Sequence, residues 1–307
     1  MDRTSSGPDS GSRRRRRLIV ALAVCGLALL APVAANADLP PKHRLHWSNL
    51  TGIQYNPIGG ANFLRFEYRY RLFDDDSKLF SRAFASVGTT LELSPVWFRG
   101  GLQLRLQPLA VLRFEAQVLG FKYFGILGSA STYPSASHDY DDVTRDSIGE
   151  DGHAIGGLSV RLAILLQAMH KNFAFRNRTR ASFWHTDLGP GRTVFYSAGD
   201  DTVRPDNGWV IENVLETGYF LLDKQLLLGL RYRVVGAVHP DLEEDPNGPY
   251  HVLGPLVGWK FPEYPGAVFG RSALLFHAGW YMNHRYRVGP IPYLVMGFYF
   301  DGTLWSR

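Results

Sequence analysis

Long stretches in which charged and apolar residues strictly alternate constrain this chain more than any other feature. Arg65, Glu67, Arg69 and Arg71 alternate with Phe66, Tyr68, Tyr70 and Leu72. Gln103, Arg105 and Gln107 alternate with Leu102, Leu104 and Leu106, and Arg113, Glu115 and Gln117 with Leu112, Phe114, Ala116 and Val118. Arg176, Arg178 and Arg180 share one parity, as do Arg231 and Arg233. Successive side chains of a strand point to opposite faces, so each stretch has one apolar face and one charged face.

A soluble sandwich also alternates, but its strands usually run to about five or six residues. The stretches here are more than twice that. From Asp38 onward no apolar run is long enough for a transmembrane helix. Length and alternation together predict an all-β fold, a transmembrane antiparallel up-and-down β-barrel of about twelve strands, with lipid on the apolar face and the lumen on the polar one. The expected strands are 47–58, 61–73, 78–94, 96–107, 109–124, 153–170, 172–187, 208–222, 225–239, 250–260, 270–283 and 292–304. With both termini on the periplasmic side, the three longest connections, 125–152, 188–207 and 240–249, all fall on the outer side, as barrels of this kind require. Trp47, Trp97, Trp184, Trp209, Trp259 and Trp305 lie near strand ends, where aromatic girdles form, whereas Trp280 lies deeper.

The N-terminus carries a second signal. Arg13 to Arg17 precede the apolar run Leu18 to Ala35, which closes in Ala35-Asn36-Ala37. A cationic segment, an apolar segment and an A-x-A site make a secretory signal peptide. The domain organisation is therefore a cleaved signal peptide, 1–37, and a barrel domain, 38–307; an uncleaved anchor is the competing reading. Cleavage would remove Cys25, the one cysteine of the chain, and with it thiol catalysis, thiolate metal sites and disulfides. The net charge of +5 has its source in Arg3 and Arg13 to Arg17, so the rest is nearly neutral and the basic pI gives no reason to expect nucleic acid.

On these residues the chain from about 45 to 307 resembles the Gram-negative outer-membrane β-barrels, as a class and without a match to a particular family. Tyr293-Leu294-Val295-Met296-Gly297-Phe298-Tyr299-Phe300 is similar to the C-terminal assembly signal of that class, although the chain ends in Trp305-Ser306-Arg307 instead of an aromatic residue. The resemblance implies a bacterial outer-membrane location, with lipid, lipopolysaccharide and the outer-membrane assembly machinery as partners.

The charged parity places Arg65, Arg69, Arg71, Arg99, Arg105, Arg113, Arg161, Arg176, Arg178, Arg180, Arg231 and Arg233 inside, against Glu67, Glu92, Glu115, Glu212 and Glu216. An arginine excess favours anions in a pore. The leading expectation is a narrow channel or passive transporter for small solutes, anions favoured, with Arg69, Arg105, Arg113, Arg178 and Arg231 lining the pore. Two other readings stay open. In one, arginines and glutamates cross-link a closed barrel, which binds a partner through acidic outer loops carrying Asp139, Asp141, Asp142, Asp146, Glu150 and Asp151, then Asp200, Asp201 and Asp206, then Asp241, Glu243, Glu244 and Asp245. These carboxylates suit divalent cations, but no EF-hand spacing is present. The other is a lipid-modifying enzyme. The outer-membrane phospholipase and lipid A deacylase families pair His with Ser on a strand; His185-Thr186-Asp187 has the histidine without the serine. A protease of the outer-membrane aspartyl type needs His-Asp pairs at the outer rim; His138-Asp139 and the pair His239 and Asp241 fit that role only by force, since one such adjacent pair is expected by chance. No catalytic set, zinc spacing or phosphate loop emerges, so no catalytic residue, metal or cofactor is assigned.

Overall fold

A computed structural model of the chain describes residues 39–126, 129–148, 156–239, 246–263 and 270–307. The expected signal segment with Cys25, as well as Glu150, Asp151, His153, Asp241, Glu243, Glu244 and Asp245, lies outside the described residues.

Twelve long strands follow the alternating stretches: β1 (His43–Tyr55), β2 (Gly59–Arg71), β3 (Phe84–Ser94), β4 (Trp97–Leu109), β5 (Leu112–Tyr123), β7 (Gly156–His170), β8 (Phe173–Asp187), β11 (Gly208–Leu221), β12 (Leu226–Val238), β13 (Tyr250–Lys260), β14 (Arg271–Asn283) and β15 (Tyr293–Ser306). Each pairs antiparallel with its neighbours, and β1 pairs with β15 to close the barrel. Closure leaves no edge whose backbone groups lack partners, the condition for crossing hydrocarbon with strands. The seam is finished by the chain ends, where the His43 amide donates to the Arg307 carbonyl at 3.0 Å and the Arg307 amide returns the bond at 2.9 Å.

The faces separate as the parity predicts. Leu102, Leu104, Val118, Ile164, Leu230 and Ile53 are exposed on the outside, while Glu67, Arg105, Glu92, Arg161 and Arg233 are buried inside. An exposed apolar belt above a buried charged interior inverts the soluble arrangement and fits a lipid surround. Glycines let the wall curve: a Cβ on Gly101 would lie 1.9 Å from the Val118 carbonyl oxygen, a position only glycine can hold.

Three expectations change. The strand expected from 78 begins at Phe84, because Ser77 to Ala83 coil into turns, with the Phe80 and Ser81 amides donating to the Ser77 carbonyl. Trp97 and Trp184 leave the girdle: they share the parity of Arg99 and of Arg176 to Arg180, point inward and are buried. Trp280 joins it, since its Nε1 donates to the Pro290 carbonyl of the outer loop at 3.3 Å.

The outer loops also contain secondary structure that alternation could not reveal. β6 (Thr132–Tyr133), β9 (Val194–Ser197) and β10 (Thr202–Pro205) form a small sheet in the order β10-β9-β6, and α1 (Asp142–Asp146) is a single turn capped by Asp141. All four residues of β9 and all four of β10 are buried, which places this hairpin within the barrel mouth.

Candidate functional site: a charged lumen under a folded-in hairpin

Ion pairs of the inner half of the lumen gather around four carboxylates. Glu67 accepts from Arg69, from Arg105 at 2.7 Å and from the Ser86 hydroxyl at 2.9 Å. Glu115 is ringed by Arg178 at 2.8 Å, Arg105 at 3.3 Å and Arg113 at 3.6 Å. Glu216 takes Arg176 at 3.1 Å and Arg231 at 3.7 Å, and Asp301 takes Arg271 at 2.5 Å. Seven arginines thus share four acids, and Arg44 and Arg65 carry the same inward parity. The arginines nearest the inner opening keep contact with water: the Arg271, Arg176, Arg178 and Arg231 side chains are 57%, 49%, 27% and 26% exposed. Among the five residues expected to line a pore, all point inward in this half and all carry an acidic partner. None is a free cation, but the carboxylates are too few to cancel them.

The outer half is built differently. Glu92 holds Arg161 at 2.6 Å and Arg99 at 3.4 Å, and Glu212 holds Arg233 at 2.8 Å and Arg180 at 2.9 Å. The guanidinium of Arg99 stacks 3.9 Å from the Trp97 ring and 5.2 Å from Trp184, whose ring also lies 3.9 Å from Arg204 of the hairpin. Weakly hydrated, planar guanidinium groups suit such aromatic faces. Above this layer Trp97, Phe121, Tyr123, Trp184, Tyr250 and Tyr281 of the wall enclose Phe195 of β9 in a continuous apolar core. The hairpin therefore has a hydrophobic seat, and its burial contributes as any core does.

The hairpin tip is locked to the wall by polar contacts. Asp200 pairs with Arg204 of its own hairpin, and with Arg180 at 3.6 Å and Arg233 at 3.9 Å from the wall. Gln54 donates to the Ala198 carbonyl at 3.0 Å, Arg233 to the Gly199 carbonyl at 3.0 Å, and the Tyr250 hydroxyl to the Asp200 carbonyl. Asp201 accepts from Tyr196, from Tyr281 and from Arg287, each at 2.8 Å. Burial alone would raise the Asp200 carboxyl, yet the facing guanidinium groups, Arg204 first, hold it below the ordinary carboxylate range. Burial pushes His284 down, only partly offset by Asp201. His284 Nε2 meets the Asp201 carbonyl at 2.8 Å while its Nδ1 accepts from the Tyr286 amide at 3.1 Å, so the neutral Nε2–H tautomer satisfies both.

Sequence reading placed Asp200 and Asp201 in a solvated acidic loop. Both are instead buried, Asp200 as the counter-charge of the inward Arg180 and Arg233 and Asp201 as the partner of Arg287 and His284 on the outer loop beyond β14. Asp139 and Asp142 are likewise engaged, by Arg285 at 2.6 Å and Arg287 at 3.2 Å. No cluster of metal-ligating side chains is present among the described residues. His185 is exposed at the outer rim, where its Nδ1 lies 2.9 Å from the Asn207 side-chain oxygen and 3.6 Å from Asp206, and no hydroxyl among the described residues is hydrogen-bonded to it. Asp301, Arg271 and His46 were missed as lumen groups; Asp301 and Arg271 share a rung of the β14 and β15 pairing, a relation that becomes visible only once the register is known.

These features define a transmembrane β-barrel of the outer-membrane type. No protein-family description matches the sequence, and no curated protein matches it. Among solved structures the chain is similar to the KdgM porin, with 7% identity over 83% of this chain and 98% of that one at a TM-score of 0.39. It is similar also to the translocator domain of the autotransporter NalP from Neisseria meningitidis, with 9% identity, coverage of 95% and 98%, and a TM-score of 0.40. A third is OccK5 of Pseudomonas aeruginosa, with 11% identity, coverage of 83% and 63%, and a TM-score of 0.37. At such values the likeness carries no functional weight, and the barrel assignment rests on this chain's own strand pairing.

Proposed function

We propose that the chain is a narrow channel or passive transporter of the bacterial outer membrane, passing small anionic solutes and closed at its outer mouth by the β9–β10 hairpin. The supporting observation is the inner half of the lumen, where seven arginines share four carboxylates and four of those arginines, Arg271, Arg176, Arg178 and Arg231, reach water. Fixed positive charge in a low-dielectric passage concentrates anions and repels cations. The hairpin belongs to the same reading as a gate, because its tip is held by discrete ion pairs and hydrogen bonds rather than by covalent continuity with the wall.

The test is single-channel recording of the refolded barrel across a planar bilayer with a salt gradient. An anion-biased reversal potential is expected, and the double variant Arg178→Glu, Arg231→Glu should abolish or invert the bias. An unchanged reversal potential in that variant would overturn the anion reading. The seated hairpin favours one second reading, a permanently closed barrel that serves as a surface scaffold. That reading predicts a silent bilayer even after the hairpin is excised.

A further inference from the structure

The lipid-facing wall is mostly apolar, with the single threonines Thr89 and Thr217, and at two places it carries a hydrogen-bonded polar trio of the same composition. On β1 and β2, Asn49 and Thr51 stand on one strand and Asn62 on the next, with Asn49 opposite Leu64 and Thr51 opposite Asn62. On β8 and β11, Asn177 and Thr179 stand on one strand and Asn213 on the next, with Asn177 opposite Leu215 and Thr179 opposite Asn213. All six have the parity opposite to the ion-paired lumen groups Arg65, Glu67, Arg176, Arg178 and Glu212, so they sit on the outer surface. The two trios share most of their bonding, the Thr51 hydroxyl alone adding a bond to Asn49 Oδ1 at 3.1 Å. Asn49 and Asn62 exchange side-chain hydrogen bonds at 3.0 and 2.9 Å, and Asn62 donates to Thr51 at 2.7 Å. Asn177 and Asn213 exchange bonds at 3.2 and 3.1 Å, and Asn213 donates to Thr179 at 2.8 Å.

Each trio lies within the apolar belt rather than at its rim. The second has Phe183, Trp209 and Ile211 on its outer side and Phe173, Phe175 and Tyr219 on its inner side. Their places round the barrel are related too. Four strands separate the trios in one direction, β3, β4, β5 and β7, and four in the other, β12 to β15. They therefore occupy opposite sides of the wall, related by a half turn about the barrel axis.

Hydrocarbon offers amides and hydroxyls nothing to bond, and cross-strand pairing uses part of their capacity. Asn177 Nδ2 keeps a second hydrogen and Thr179 its hydroxyl hydrogen, with no acceptor among the described residues, and Thr51 and Thr179 are exposed. Polar groups facing lipid act as contacts between membrane segments for this reason. We infer that each trio is a contact surface for a second copy of this chain, like trio against like trio across a two-fold axis normal to the membrane. Amide and hydroxyl groups carry donors and acceptors together, so the patch complements itself, as an isologous contact requires. A two-fold axis normal to the membrane also keeps each trio at its own depth, whichever trio is used. Because there are two trios on opposite sides, a copy joined through one still presents the other, and association runs on into rows.

The experiment is subunit counting by single-molecule photobleaching of the chain in phospholipid bilayers, with folding verified by heat-dependent gel mobility. Wild type should give species of more than two copies. Asn49→Leu, Thr51→Val, Asn62→Leu together, or Asn177→Leu, Thr179→Val, Asn213→Leu together, should stop assembly at dimers, and all six should give monomers. A wild type that counts as one copy at every protein density, or a sixfold variant with the wild-type distribution, would overturn the inference. Dimers lost in both threefold variants would overturn the like-with-like arrangement. A measurement that leaves the trios nearly intact guards against misfolded variants: with Cys25→Ser as background, Thr51→Cys should form a disulfide dimer in the bilayer in far higher yield than Val118→Cys, and equal yields would also count against it.

Discussion

The two halves of the lumen are made from the same residue types and behave as different materials. In the inner half buried carboxylates are shared among arginines, of which Arg271, Arg176, Arg178 and Arg231 reach water. In the outer half Arg99 and Arg161, paired with Glu92, lie against Trp97 and Trp184, sealed under a hairpin whose Phe195 and Tyr196 are fully buried. Charge against charge leaves a basin; charge against aromatic ring makes a floor on which a plug can sit. The difference shows that an arginine-rich strand pattern does not by itself determine whether a barrel is open. What faces the arginine across the lumen decides.

Excising 193–206 and bridging the ends with a short Gly and Ser linker should break the contrast outright. The outer half would then resemble the inner, and single-channel conductance should rise severalfold with the anion bias retained. Unchanged conductance would mean that the wall alone closes the lumen. The next largest effect is expected from Asp200→Asn, which strips the counter-charge from Arg180, Arg204 and Arg233 in a dry setting. Removing one partner of a buried ion pair costs about 3–5 kcal/mol, so the hairpin should undock while the barrel stays folded, read as new protease cleavage or fast hydrogen exchange within 194–205. Full protection there would remove Asp200 as the lock.

Glu115→Gln makes the matching change in the inner half. Arg105, Arg113 and Arg178 lose their shared buried acid, but Arg105 keeps Glu67 as a second partner and Arg178 is partly exposed. The expected outcome is a stronger anion bias, with hairpin protection unaltered and a smaller stability loss than for Asp200→Asn. Acid should give the smallest effect. His284 is pushed down in the docked state, so above its unperturbed value of about 6.5 docked and released forms are both neutral and nothing is lost. As pH falls below that value the released form takes up a proton first, which favours release, whereas the depressed Asp200 stays charged across this range. Between pH 7 and 5 the hairpin should loosen slightly, and His284→Gln should remove that dependence in a cleavage assay.

The barrel was legible because its wall has a period of two from Arg65 to Arg233, and a one-residue slip would turn every arginine into lipid. The five arginines expected to line the lumen point into it for the same reason. The hairpin was not legible. Val194 to Pro205 is four residues, a turn and four residues, too short for periodicity to register, and its acids look like any solvated loop until the wall arginines facing them are known. Trp97 and Trp184 mark the same limit. Their positions near strand ends suggested the girdle, and their parity, which was available, placed them inside.

The lock on the hairpin draws on both extremes of the chain. Ala198 is held by Gln54 of β1, and Asp201 by Tyr281 of β14 and by Arg287 beyond it. Contacts so distant in sequence form late, since the intervening chain must first be ordered. The full set of tip contacts exists only when β1 and β14 both stand beside the hairpin, that is, in a barrel whose seam has closed. A fully locked hairpin is thus a mark of a closed seam.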